Sequence, residues 1–173
     1  YVSDRSGNIY NTVNIGTQNW MSENLTTSLY NNGDTIPLQN TNVTQNLNNH
    51  PYSWAWQGYT YYNNDSTYES TPYKKLYGWM TVKDNRDICP PGWLIPVEDD
   101  FQELSNFLGG DTVSGYKLKS TSGWDSNGNG SNTSGFSAYP AGLVQNTVSR
   151  MIGEASIFWS KTNIRQQPSG NWL

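Results

Sequence analysis

The segment from Leu76 to Gly110, LYGWMTVKDNRDICPPGWLIPVEDDFQELSNFLGG, sets the chain's one cysteine, Cys89, in a rigid frame of aromatic residues and prolines. Pro90 and Pro91 fix φ and lack an N–H, so they break any helix that reaches them. The spacing predicts a helical stretch with a weak stripe of Trp79, Val82 and Ile88, a Cys-Pro-Pro-Gly-Trp turn, an extended Leu94-Ile95-Pro96, and then an amphipathic helix. That last helix is the clearest element. Phe101, Leu104 and Leu108 recur at three- and four-residue steps, with Phe107 widening the stripe. Glu98, Asp99 and Asp100 fill its first turn, where the helix dipole favours acidic groups without any need for acid–base chemistry or a metal. Gly109-Gly110 supplies its end.

A chain of 173 residues suits one domain with a real hydrophobic core. Only 34% of it is hydrophobic, yet it carries 8 Trp and 12 Tyr, so rings rather than aliphatic side chains should supply much of the buried mass. The net charge is −4 and the longest basic run is Lys74-Lys75, which excludes the phosphate-neutralising patch that nucleic-acid binding requires. No stretch approaches the roughly 20 apolar residues of a membrane span. A start at Tyr1 fits a processed or partial product, and membrane attachment would run only through an N-terminal lipid anchor.

One cysteine cannot form an internal disulfide, so Cys89 reads as a buried thiol or as one whose partner lies elsewhere. A catalytic thiol needs a nearby base, and the one histidine, His50, sits in a polar LNNHPY segment with no nucleophile motif. Near the N-terminus, Ile9, Asn11, Val13 and Ile15 alternate with Tyr10, Thr12 and Asn14, which predicts a strand pair turning near Gly16. Trp20 and Met21 are expected to open a short turn or one-turn helix ending at Leu25, with Trp20 and Leu25 anchored in the core. Glu23 and Asn24 are expected to hydrogen-bond loop backbone. Residues 26–73 form the least regular part and read as an insertion or surface excursion. Within it, SWAWQGYTYY puts Trp54 and Trp56 on one face of a strand and Tyr59 and Tyr61 on another, as candidate ligand-binding rings or as a minor core under the loops.

Five blocks occur in order: GNIYNTVNIGTQNWMSENL, CPPGWLIPVEDDFQELSNFLGG, KLKSTSGW, GFSAYPAGL and IFWSKT. Together they resemble the Fibrobacter succinogenes major paralogous domain family from Gly7 to Thr162, apart from the central excursion. The resemblance implies a secreted or surface-exposed bacterial protein of the Bacteroidota and their relatives, often a lipoprotein. It also implies an α+β, C-type lectin-like fold: two helices beside small twisted antiparallel sheets, with long loops. Family members commonly continue to a closing strand whose cysteine is placed to join that of the Cys-Pro turn. This chain runs instead to NIRQQPSGNWL, so the expectation is that the closing strand is missing or that the domain closes in another way. Val97 stands where a Ser/Thr-type helix cap is usual, a loss of about 1 kcal/mol.

Asp125, Asn127 and Asn129, with Gly130 at the sixth position, match the first half of a calcium loop, but the twelfth position is Phe136 instead of Glu. Calcium would need ligands from elsewhere, and the alternative is an Asx/Gly turn. Thr35, Ser66 and Thr112, each following Asp, are candidate O-glycosylation sites. No cofactor is called for. The expected function is a non-enzymatic surface or secreted module that binds a protein or glycan, either alone or as an accessory lipoprotein of an outer-membrane assembly. The alternative is a carbohydrate-binding module of a polysaccharide-degrading system. An enzyme is less favoured, because neither the facing carboxylates of a glycosidase nor paired cysteines are visible.

Overall fold

Thr12–Ile15 (β3) and Gln18–Met21 (β4) pair antiparallel with Val13 opposite Trp20, and the chain reverses through Gly16 at φ +62°. This is the predicted hairpin, with glycine where a two-residue turn needs positive φ. Trp20 and Met21, expected to open a helical turn, instead complete β4. Trp20 gains more as a strand residue: it pairs across to Val13 while its ring lies 5.5 Å from Phe101 and 5.6 Å from Phe136.

The computed structural model describes residues 1–39, 57–145 and 148–162. Three further antiparallel pairs complete the described sheets: Val2–Ser3 (β1) with Ile9–Tyr10 (β2), Tyr59–Tyr61 (β5) with Lys75–Tyr77 (β6), and Leu143–Gln145 (β7) with Val148–Arg150 (β8). The helices are Trp79–Val82 (α1), Glu98–Phe107 (α2) and Asp111–Leu118 (α3), so the arrangement is α+β with one helix more than expected. α1 is a single turn. Beyond it, the Asp84 carboxylate accepts the Arg86 N–H and Asp87 turns left-handed at φ +57°, side-chain chemistry that competes with helix and ends it.

Two apolar clusters hold these elements. Ile15, Leu104, Leu108, Phe136 and Ala138 form the first, between the β3–β4 hairpin and α2. Tyr30, Ile36, Tyr59, Val82 and Ile88 form the second, ringed by Leu25, Tyr61, Tyr77, Trp79, Ile95 and Trp159. Trp20 and Leu25 are thus core anchors, as expected. The two flanks of the irregular 26–73 stretch are not superficial: Tyr30 and Ile36 are almost fully buried and Tyr59 is 7% exposed. Phe107 departs the other way. It lies outside the α2 stripe and is 64% exposed.

α2 begins without a side-chain acceptor at Val97. The Asp100 carboxylate takes the Val97 N–H at 2.8 Å, and the Glu98 N–H donates to Thr162 Oγ1 at 2.7 Å. The hydroxyl missing at the cap position is therefore supplied from the IFWSKT segment, where the Lys161 N–H also bonds the Pro96 carbonyl. Phe158 and Trp159 of that segment pack on Phe136 and Trp79, one in each direction.

Charged groups are used as internal ties. Glu23 accepts the Asn11 N–H and pairs with Lys74 at 2.9 Å, and Asn24 donates to the Pro72 and Tyr73 carbonyls, as expected for loop-binding residues. Arg86 lies 4.0 Å over the Tyr30 ring and pairs with Asp84 at 2.7 Å and Asp34 at 3.0 Å. The Arg86 hydrogen bonds pull the Asp84 carboxyl below its ordinary range, and bonds from Asn32 and then Arg86 do the same for Asp34. A carboxylate whose folded pKa is depressed stabilises above its unfolded pKa, and that contribution is lost as pH falls through the folded value. Urea midpoints are therefore expected to stay level above about pH 5 and to drop progressively below about pH 4. Asp84→Asn should flatten this acid limb; an unchanged limb would show that other groups set it.

Candidate functional site

β5 and β6 pair with Tyr59 opposite Tyr77 and Tyr61 opposite Lys75. The chain between them makes two short 3-10 turns, Tyr62–Asn64 and Ser66–Ser70, the second capped by the Asp65 carboxylate, which accepts the Thr67 N–H. This irregular connection gathers rings. Tyr62 and Tyr73 stack with centroids 4.2 Å apart and planes 24° apart. Tyr68 sits 4.7 Å from Tyr62 and edge-on to Tyr73 at 6.1 Å, and Tyr139 meets Tyr73 edge-on at 5.8 Å. Tyr62 forms the buried floor, while Tyr68, Tyr73 and Tyr139 are half-buried.

The Trp124–Gly130 loop borders this cluster. A Cβ on Gly123 would come within 2.6 Å of the Tyr73 hydroxyl, so only glycine lets the backbone pass there. Burial raises the Tyr62 and Tyr73 phenols, and neighbouring tyrosines and the Asp125 charge push them further the same way. The surface is thus a preassembled patch of neutral phenols with a carboxylate at its edge. It can stack flat apolar faces and exchange hydrogen bonds around them.

Of the rings singled out in the sequence, Trp54 and Trp56 lie outside the described residues. Tyr59 is in the second core cluster, 7% exposed and with Lys75 Nζ 4.3 Å from its ring. Tyr61 is half-buried beside it, its ring centroid 5.7 Å away and its phenol pushed up to about 12, first by burial. The clustered rings that sequence reasoning did not single out, Tyr68, Tyr73 and Tyr139, follow no strand or helix period. Their one signal is the density of Tyr between Tyr59 and Tyr73.

The Asp125–Gly130 segment is built as a turn. The Asn129 side-chain oxygen accepts the Trp124 N–H at 3.1 Å, Asp125 O accepts the Gly128 N–H at 2.8 Å, and Ser126 and Asn127 are both left-handed. A side chain at Gly153 would collide with the Asp125 carboxylate. The Asn129 side-chain oxygen is thus engaged by the turn, and the Asp125 carboxylate lies against Gly153. Among the described residues no group of three or more His, Cys, Asp and Glu side chains could hold a metal ion. Thr35, Ser66 and Thr112 are all exposed, in a bridge, a 3-10 turn and the first turn of α3 respectively.

Cys89 is 5% exposed, and its N–H donates to the Asp87 carboxylate. Burial, with Asp87 adding to it, pushes the thiol up to about 12, which favours its protonated form at neutral pH.

The family model of the Fibrobacter succinogenes major domain matches residues 13–172. The chain belongs to that family. The match takes in both core clusters and the tyrosine patch and runs to Trp172 in the NIRQQPSGNWL tail, beyond the last motif block, although it starts after Gly7. No curated protein and no solved structure matches the chain. Among the described residues, no helix is long and apolar enough to cross a membrane.

Proposed function

We propose that this domain is a non-enzymatic binding module of a bacterial cell surface or secreted protein, with a C-type lectin-like fold, and that Tyr68, Tyr73 and Tyr139 contact its protein or glycan ligand. It would act alone or as an accessory lipoprotein subunit of an outer-membrane assembly. The observation that carries this reading is the tyrosine cluster: Tyr68 and Tyr73 packed on the buried Tyr62 and Tyr139 set edge-on to Tyr73, all three only half-buried. Tyrosine offers a large amphipathic contact at low conformational cost, and rings fixed before binding lose little further entropy. Asp125 at the rim adds an acceptor for ligand hydroxyl or amide donors.

The test is a glycan array run beside surface cross-linking with the intact chain, followed by affinity measurements on whatever binds. Tyr68→Ala and Tyr73→Ala are each expected to weaken that binding about tenfold while circular dichroism stays unchanged. A ligand whose affinity neither substitution alters would move the site away from this cluster and sink the assignment.

A further inference from the structure

The exposed Phe107 ring has one face occupied. Gly16, at φ +62°, lies under it so closely that a Cβ there would sit 2.9 Å from the ring. The β3–β4 turn is also tied to α2 by Thr17 donating to the Glu103 carboxylate and by Gln18 Nε2 donating to the Asp100 carbonyl at 2.9 Å. Between turn and helix runs a cleft of about 680 Å³, lined by Ile15, Gly16, Thr17, Asp99, Gln102, Glu103, Asn106 and Phe107. Its volume falls inside the roughly 300–1,000 Å³ of small-ligand sites. The two hydrogen bonds hold the turn against the helix that walls the cleft.

We propose that this cleft is a second binding site, separate from the tyrosine cluster, and that it takes a neutral saccharide. The lining carries two carboxylates and no basic side chain, which disfavours uronates, sulfates and phosphates. A purely apolar ligand would strip water from Asp99, Gln102, Glu103 and Asn106 without replacing its hydrogen bonds. An ammonium group brings donors only. It would leave the Asn106 amide N–H groups unmet, Gln102 Nε2 already donating to Asn106 Oδ1 at 3.1 Å, and the Thr17 bond to Glu103 and the helix dipole at Asp99 offset part of the charge that would attract it. Hydroxyls donate and accept, and so match amides and carboxylates together. The C–H face of a pyranose ring then covers the open side of Phe107.

The experiment is a ¹⁵N-resolved titration of the whole chain with neutral gluco-, xylo-, manno- and galacto-oligosaccharides at millimolar concentration, with spermidine and a basic peptide in parallel. The expected result is saturable movement of the Gly16, Thr17, Asn106 and Phe107 amides with at least one sugar. Phe107→Ala should weaken it about tenfold, and Asn106→Ala should weaken it too. Cleft amides that no sugar moves, or that move only with the cations, would overturn the proposal. Because mapping is done on the unaltered protein, the answer does not depend on either variant folding. Sugar shifts confined to Tyr68 and Tyr73 would also overturn it, while leaving the tyrosine site standing.

Discussion

Lys75→Ala is expected to lower the unfolding free energy by about 3 kcal/mol, read from urea titrations, whereas Glu69→Gln, on the other side of the same ion pair, should cost under about 1 kcal/mol. The asymmetry follows from where the two charges sit. The Lys75 side chain is 1% exposed and that of Glu69 is 48% exposed, with Nζ and Oε1 2.9 Å apart. Water can replace the lysine around Glu69. Nothing can replace the three partners around Nζ: Glu69, the Thr26 carbonyl at 2.9 Å and Ser28 Oγ at 2.7 Å. The ammonium also faces the Tyr59 ring at 4.3 Å. Removing it empties the space along β6 filled by the lysine stem and leaves the Thr26 carbonyl buried without a donor. The estimate stays at the low end for buried pairs because Glu69 recovers its hydration. Lys75→Met, which keeps the stem, should fall between the two variants. Equal losses at Lys75 and Glu69 would mean that the pair, rather than the buried ammonium, is what matters.

This lysine marks where the sequence stops being legible. The Gly16 hairpin and α2 could be read because their signals are local: alternation around a glycine, and a three-and-four stripe behind acidic residues. α3 could not. It is eight residues long, includes Gly115 and β-branched Thr112 and Val113, and buries only Ser114, which meets Ser105 of α2 at 3.1 Å. Lys75 reads as half of a surface Lys-Lys pair because its backbone partner, Thr26, is 49 positions away. The tyrosine patch is hidden for the same reason: Tyr73 and Tyr139 are joined only by the fold. Conversely, SWAWQGYTYY attracts attention as a binding stripe, but alternation along a strand does not say which face is covered. For Tyr59 the covered face holds the second core cluster and Lys75.

Asp4→Ala should be comparably damaging, at about 3 kcal/mol, although Asp4 lies near the start of the chain in a run, SDRSGN, that looks like solvated loop. Asp4 is 7% exposed. Its carboxylate accepts the Asn8 N–H at 2.9 Å, Asn8 Nδ2 at 2.8 Å and the hydroxyl of the fully buried Tyr10. Truncation strands the buried Tyr10 hydroxyl and removes the acceptor of the Asn8 N–H, and each unmet buried donor costs roughly 1–3 kcal/mol. Tyr10→Phe should cost less, since Asp4 keeps both Asn8 bonds. The double variant should lose less than the sum, because once the carboxylate is gone the phenol has no acceptor left to lose. Tyr10 also accepts the Thr26 N–H at 3.1 Å, and the Thr26 carbonyl accepts Lys75. Asp4, Tyr10, Thr26 and Lys75 therefore form one buried polar chain joining the N-terminal strands to β6. If that chain acts as a unit, Asp4→Ala and Lys75→Ala will couple by more than about 0.5 kcal/mol in a double-mutant cycle. Strict additivity would show two independent ties that merely share a residue.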